Sequence, residues 1–214
     1  MLIPLRQLKH NYQLKIKGVI HVGAHIGQEY NDYIDCGARD IVFVEPCSWQ
    51  MQKLFNRFRN DPAVKLYQYA AGATLANGVM KTASFNKGES NSLLQPLLHL
   101  QQHPEVVFDG TEEVKIVPLD ARSYFDFNPS LYNFLAMDVQ GYEGEVLKGA
   151  TETLKHIDYV YTEVNKGQTY EGNALVEEID ALLSEFTRVE TKWAGNTTWG
   201  DAFFLRTSKM KLPY

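Results

Sequence analysis

Short apolar runs, each leading into a stretch with helical spacing, limit this chain's fold more than any other feature. Val19–Val22, Ile41–Glu45 (IVFVE), Val64–Gly72 (VKLYQYAAG), Asn133–Asp138 (NFLAMD) and Tyr159–Val164 (YVYTEV) read as strands. Most are apolar without alternation, the pattern of strands buried on both faces. Ile26, Tyr30, Tyr33 and Ile34 give a helix over Ile26–Cys36, with Gly37 as its left-handed terminator. Ser48 reads as the N-cap of a helix whose stripe is Met51, Leu54, Phe55 and Phe58. Glu143–Leu154 and Ala174–Phe186 read as two more helices, and Leu93–Gln102 as a shorter one. Val114–Leu119 is a strand with an edge-type proline, and Ala76–Asn91 a polar loop or weak hairpin. Thr187–Trp193 and Ala202–Arg206 form a closing antiparallel pair. Such alternation predicts an α/β fold: a mostly parallel sheet with helices on both faces. Ligands of these sheets bind beyond the carboxyl ends of the strands, near a topological switch point.

The 214 residues suit a single domain over 1–214, with residues 1–17 as an N-terminal extension. A hydrophobic content of 44% supplies a full core. The formal charge is −5, and no run of Lys and Arg offers a nucleic-acid footprint. No stretch approaches the roughly 20 apolar residues of a membrane span or the apolar core of a signal peptide. Cys36 and Cys47 lack CxxC spacing and read as free thiols in a reducing compartment. A cytoplasmic protein is expected.

The stretch HVGAHIGQE, residues 21–29, follows the first strand. Its Gly23 and Gly27 make G-x-x-x-G, whereas a dinucleotide cradle needs G-x-G-x-x-G and a P-loop needs Gly-Lys-Ser/Thr. The loop suits backbone approach by a ligand without pyrophosphate, such as an amino-acid-bearing nucleoside. His21 and His25 are four apart without the intervening glutamate of a zinc helix, so no metal is expected. Glu45 closes the second strand about twenty residues later, where a carboxylate can accept both ribose hydroxyls. Asp138 ends NFLAMD, Glu143 opens the following helix, and Glu163 and Asn165 end YVYTEVN. An acid at the end of a buried strand costs free energy unless it is satisfied or used. Asp138 and Glu163 therefore make the acidic floor of a pocket.

These pieces together resemble the FkbM family of S-adenosylmethionine-dependent methyltransferases. The resemblance rests on VIHVGAHIGQE, FVEP, YAAG, SNSLL, VPLD, MDVQGYEGEVLKGA, TEVN and WGDAFFLR, in the family's order from Gly18 to Arg206. One departure stands out: His21 occupies the position of the usual first acid in the D-x-G-A pattern. The resemblance implies a Rossmann-like class I methyltransferase fold, a seven-stranded sheet with one antiparallel strand at the end. It implies O-methylation of a hydroxyl on a sugar, glycan or glycosylated product. Cofactor contacts then fall on His21, Gly23, Ala24, His25, Gly27, Glu45, Ala71 and Asp138, with Ala70 and Ala71 leaving room near the adenine.

Methyl transfer to a weakly acidic hydroxyl calls for orientation and a positioned base. Asp138 is the first candidate for the base, Glu163 the second and His25 a third. Ser92, Glu143, Asn165 and Tyr170 are the candidate acceptor contacts. Ser90–Ser92 could close over the acceptor or be an ordinary surface loop, and Tyr170, Trp193, Asn196, Trp199 and Asp201 could form a sugar platform or belong to the core. Two rival readings are a nucleotide-sugar oxidoreductase or epimerase, disfavoured by the glycine spacing, and a non-catalytic binding module. An RNA methyltransferase is disfavoured by the acidic charge.

Overall fold

Continuous apolarity in the strands has a direct structural counterpart: successive side chains enter two different cores. The computed structural model describes residues 1–210. In chain order the elements are α1 (Leu5–Tyr12), β1 (Gly18–Val22), α2 (Tyr30–Asp35), β2 (Asp40–Val44), α3 (Ser48–Phe58), β3 (Val64–Tyr67), β4 (Ala70–Ala71) and β5 (Ala76–Thr82). There follow α4 (Leu98–Gln102), β6 (Gly110–Val117), β7 (Phe134–Met137), α5 (Glu143–Lys148), α6 (Thr151–Leu154), β8 (Tyr159–Asn165), α7 (Val176–Leu182), β9 (Phe186–Trp193) and β10 (Trp199–Arg206). Along β1, Val19 joins Ile41, Phe43 and Phe134 against Leu8, Tyr33 and Leu54 of the first helices. Its neighbour Ile20 joins Val42, Leu135 and Val160 against Phe125, Leu147 and Ile179 on the other face.

The main sheet has seven strands in the order β3-β2-β1-β7-β8-β10-β9. β3, β2, β1, β7 and β8 are mutually parallel, and β10 runs antiparallel to both β8 and β9. The strand order reverses between β1 and β7, which places a crevice above Val22 and Met137. Gly23 leaves β1 with φ +75°, and a Cβ there would lie 1.8 Å from the carbonyl oxygen of Asp138. The two strand ends approach too closely for any side chain at this position.

Several boundaries differ from the sequence reading. Residues 64–72 form two strands in two sheets, because Pro46 follows Glu45 on β2 and has no N–H to extend the ladder. The bond from Glu45 N–H to the Tyr67 carbonyl is the last before the chain leaves. β4 then pairs in parallel with β6, and β5 pairs antiparallel with β6, in a small second sheet. β5 lies in the stretch read as a loop or weak hairpin, and its signal is faint because only Met80 of its seven residues is buried. The helix read over Glu143–Leu154 breaks at Gly149, where a Cβ would meet the Gly72 carbonyl oxygen at 2.0 Å. α2 starts only at Tyr30, after left-handed residues at His25 and Gly27. α4 starts at Leu98, past Pro96. Residues 1–17 contribute core: Ile3, Leu5 and Leu8 are buried, and the Ile3 N–H donates to the Tyr161 hydroxyl at 3.0 Å. Among the described residues no helix is long and apolar enough to cross a membrane.

Candidate active site

A cavity opens over the carboxyl ends of β1, β2 and β7. His21, Gly23, Ala24, His25, Glu45, Ala71 and Asp138 line it, with Ala70 beside Ala71. Gly27 does not. Its φ is +73°, and a Cβ there would meet the Phe58 ring at 2.9 Å, so it serves the turn and the packing beneath it.

Glu45 is buried, with one oxygen accepting the His25 N–H at 2.9 Å and the other the Cys47 N–H at 3.0 Å. Burial pushes its carboxyl up to about 7, against the pull of those two N–H groups. Each oxygen retains a lone pair, and the residue lines the cavity. His25 adopts φ 49°, and its Nε2 lies 2.9 Å from the Lys87 carbonyl oxygen. A carbonyl only accepts, so Nε2 carries a proton and the ring clasps the glycine loop to residues 83–91. That engagement commits the Nε2 edge of His25 to the loop, while Nδ1 lies 3.4 Å from Gln28 Oε1. His21 is buried, its Nδ1 3.1 Å from the Tyr33 hydroxyl and 4.0 Å from a Glu29 oxygen. Desolvation lowers its pKa, so a neutral imidazole stands where the FkbM resemblance predicts an acid.

The acidic floor is organised by a residue that sequence reasoning missed. Gln140 donates its amide N–H groups to Asp138 Oδ1 at 2.7 Å and to Glu163 Oε2 at 3.1 Å. Its amide oxygen accepts from the Tyr170 hydroxyl at 2.8 Å. Carboxylate oxygens on one side and a hydroxyl on the other leave one sensible amide orientation. The backbone of Gln140 is left-handed, φ 52°, and its carbonyl accepts from Ser92 Oγ at 2.7 Å. The available signal was the glutamine wedged between Asp138 and Gly141, a place for a strained turn.

Asp138 opens to the cleft, yet protein encloses it on its other sides. Enclosure raises its carboxyl to about 6; the Gln140 hydrogen bond opposes the rise and Asp201 adds to it. Burial, then Glu143 and Asp138, hold Glu163 well above the usual carboxylate range. Glu143 is 3% exposed, accepts the Val139 N–H at 3.0 Å, and is pushed up to about 8 by burial.

A second chamber adjoins the first and shares Gln28, Glu29, Glu89, Asp138 and Gln140 with it. Of the four expected acceptor contacts, only Tyr170 lines this chamber. Ser92, Glu143 and Asn165 line neither cavity and are buried behind the wall. There they brace Gln140, the Val139 backbone and Glu163, so their part is support rather than contact. Of the expected platform, Trp199 lines the chamber and donates its indole N–H to His103 at 3.3 Å. Asp201 is buried, where it accepts from the Leu2 N–H and the Tyr161 hydroxyl. Trp193 packs at the core edge under Lys166.

A sheet of this order, with its cleft at the β1/β7 switch point, is the class I methyltransferase architecture. The chain aligns with the FkbM methyltransferase from Methylobacillus flagellatus KT at TM-score 0.60 and 15% identity, covering 95% of this chain and 48% of that one. It also aligns with the magnesium protoporphyrin IX methyltransferase ChlM from Synechocystis PCC 6803, solved with bound SAM, at TM-score 0.52 and 9% identity, over 95% and 76% of the two chains. The family model of the methyltransferase FkbM domain matches residues 21–189, and the chain belongs to that family of S-adenosylmethionine-dependent methyltransferases. A curated relative, the 2-O-methyltransferase NoeI of Sinorhizobium fredii, is 36% identical over 100 residues. That match spans 47% of this chain and 41% of NoeI.

Proposed function

We propose that this methyltransferase transfers its methyl group to a hydroxyl of a sugar or glycan, with Asp138 as the general base. One observation carries the reading: Asp138 lies where the cofactor-side cavity and the second chamber meet. The name of NoeI, a 2-O-methyltransferase, supports oxygen as the acceptor atom.

The cavity suits the cofactor. Glu45 keeps lone pairs for two vicinal hydroxyls, while Ala70 and Ala71 give a shallow wall for a flat base. Gly23 and Ala24 present backbone at the loop, and no phosphate-binding pattern is needed. S-adenosylmethionine supplies, when bound, a methyl group on a sulfonium, already a good electrophile. The chain then has to orient a hydroxyl and receive its proton. Asp138, with a pKa near 6, is ionised at neutral pH and accepts a proton more readily than an ordinary aspartate. Burial and the neighbouring Glu143 and Asp138 raise the carboxyl of Glu163, so proton loss from it beside an ionised Asp138 is disfavoured. Gln140 fixes the Asp138 rotamer through Oδ1 and leaves Oδ2 for the acceptor hydroxyl.

Calorimetric titration with S-adenosylhomocysteine, with NAD as control, tests the cofactor side. Asp138→Asn should keep that affinity within a few fold and lower kcat by roughly 10²-fold or more. Turnover near the wild-type rate would assign the proton to another group. Failure of S-adenosylhomocysteine to bind would favour a non-catalytic module in which His21 has closed the site.

A further inference from the structure

We infer that the sugar entering the second chamber is uncharged, a glycan terminus or glycoside and not a sugar still joined to phosphate or nucleoside diphosphate. The inference rests on the sugar-hydroxyl reading and narrows its substrate class.

Five acids line the chamber. Glu29 and Glu89 stand at the junction with the cofactor cavity, Asp138 and Glu163 form the floor, and Glu105 lies on the outer wall. Among the described residues no lysine or arginine lines either cavity. Phosphate recognition draws on arginine forks, lysines or free backbone N–H groups at a helix start. The helix start nearest the chamber has none to offer. The N–H groups of Leu97 and His99 donate to the Thr169 carbonyl, and that of Leu98 to Gln168.

The basic groups on the chamber wall are two imidazoles and the N-terminal ammonium of Met1, which acts on Asp138, and they are fewer than the five carboxyl groups. His99 is buried, its Nε2 is 3.1 Å from Ser90 Oγ, and its Nδ1 has no partner among the described residues. Burial lowers its pKa to about 4, so it is neutral at the working pH. His103 faces Glu105 at 3.6 Å through Nδ1 and takes the Trp199 indole N–H on Nε2.

The same surface suits a neutral polyol. Carboxylate oxygens accept from sugar hydroxyls, which are donors in search of acceptors. The partly exposed Trp199 ring offers a face for the C–H side of a pyranose, and Phe85, 69% exposed, is a second aromatic on the chamber wall. A phosphate on the reacting sugar would share the chamber with these acids. Each like-charge pair weakens binding, and a doubly charged phosphate meets each acid twice over. In reaction order, methylation then follows a glycosyl transfer that has already removed the activating phosphate.

The test compares methyl glycosides of common hexoses and deoxyhexoses with the matching 1-phosphates and nucleoside diphosphate sugars. Transfer from radiolabelled methyl donor is read as kcat/KM. The neutral series should exceed the phosphorylated series by on the order of tenfold or more at low salt. Raising ionic strength should narrow the gap, because the chamber is open to water. Glu89→Gln and Glu105→Gln, at exposed positions that do not threaten the fold, should narrow it too. Equal or better use of the phosphorylated sugars overturns the inference. So does a gap that neither salt nor either variant moves, since charge would not be its cause. Transfer to neither series, with S-adenosylhomocysteine still bound, defeats the sugar-hydroxyl reading itself and is recognised by that separate pattern.

Discussion

Glu143→Gln should stabilise the protein at alkaline pH and change little at acid pH. Glu143 is buried, and its ordinary value of 4.5 rises to about 8, first through desolvation. In the unfolded chain it ionises near 4.5; in the folded chain it keeps its proton until about 8. Between those values the folded state holds more protons, so wild-type stability falls as pH rises. The slope is about 1.4 kcal/mol per pH unit, which sets a ceiling on the order of 4–5 kcal/mol across the window. Glutamine titrates in neither state, and its amide oxygen can still accept the Val139 N–H that Glu143 accepts at 3.0 Å. The variant's advantage should therefore grow by about 3–5 kcal/mol between pH 5 and pH 8.5. Urea unfolding followed by tryptophan fluorescence at pH 5, 7 and 8.5 measures it. A difference between variant and wild type that is the same at all three pH values would refute the reasoning.

Glu45→Gln turns an amide N–H₂ towards one of the two backbone N–H groups that the carboxylate accepts. Calorimetry should show S-adenosylhomocysteine affinity reduced by about tenfold to a hundredfold, and thermal unfolding a loss of about 1–3 kcal/mol. Gly23→Ala places a methyl 1.8 Å from the Asp138 carbonyl oxygen in a left-handed backbone. Denaturant titration should show a loss of about 3 kcal/mol or more, because β1 and β7 must part. Gln140→Leu removes the donor that holds Asp138 below its fully desolvated value. Its kcat should drop, and the rising limb of its pH–rate profile should move from about 6 to higher pH; an unmoved limb would separate Gln140 from the base.

Burial raises the carboxyls of Glu45, Glu143 and Glu163, and enclosure by protein that of the cleft-facing Asp138, a clustering that makes this crevice the candidate functional centre. A protein selected for stability alone would not gather four acids around one crevice. The arrangement suits a cationic sulfonium on one side and a hydroxyl proton on the other.

The three central strands β1, β2 and β7 were legible because burial on both faces leaves a local mark: nearly unbroken apolar residues over four or five positions. Glu45 and Asp138 were legible as cleft residues because, in a parallel sheet, whatever follows a central strand stands at its carboxyl edge. The break between β3 and β4 was not, and the strand β5 was legible only as a loop or weak hairpin, since one depends on a proline in a neighbouring strand and the other is largely exposed. Nor was the direction in which Ser92, Glu143 and Asn165 point. Sequence order brought them near the site, but a left-handed turn at Gln140 set its side chain between Asp138 and Glu163 and left those residues behind the wall. The sequence by itself determined the sheet, the glycine loop and the acids at the strand ends, because periodicity and strand-end position are properties of adjacent residues. Which acids face the cleft, which merely support them, and how far their proton affinities rise were decided only by the tertiary structure, because burial and hydrogen bonding arise between segments far apart in the chain.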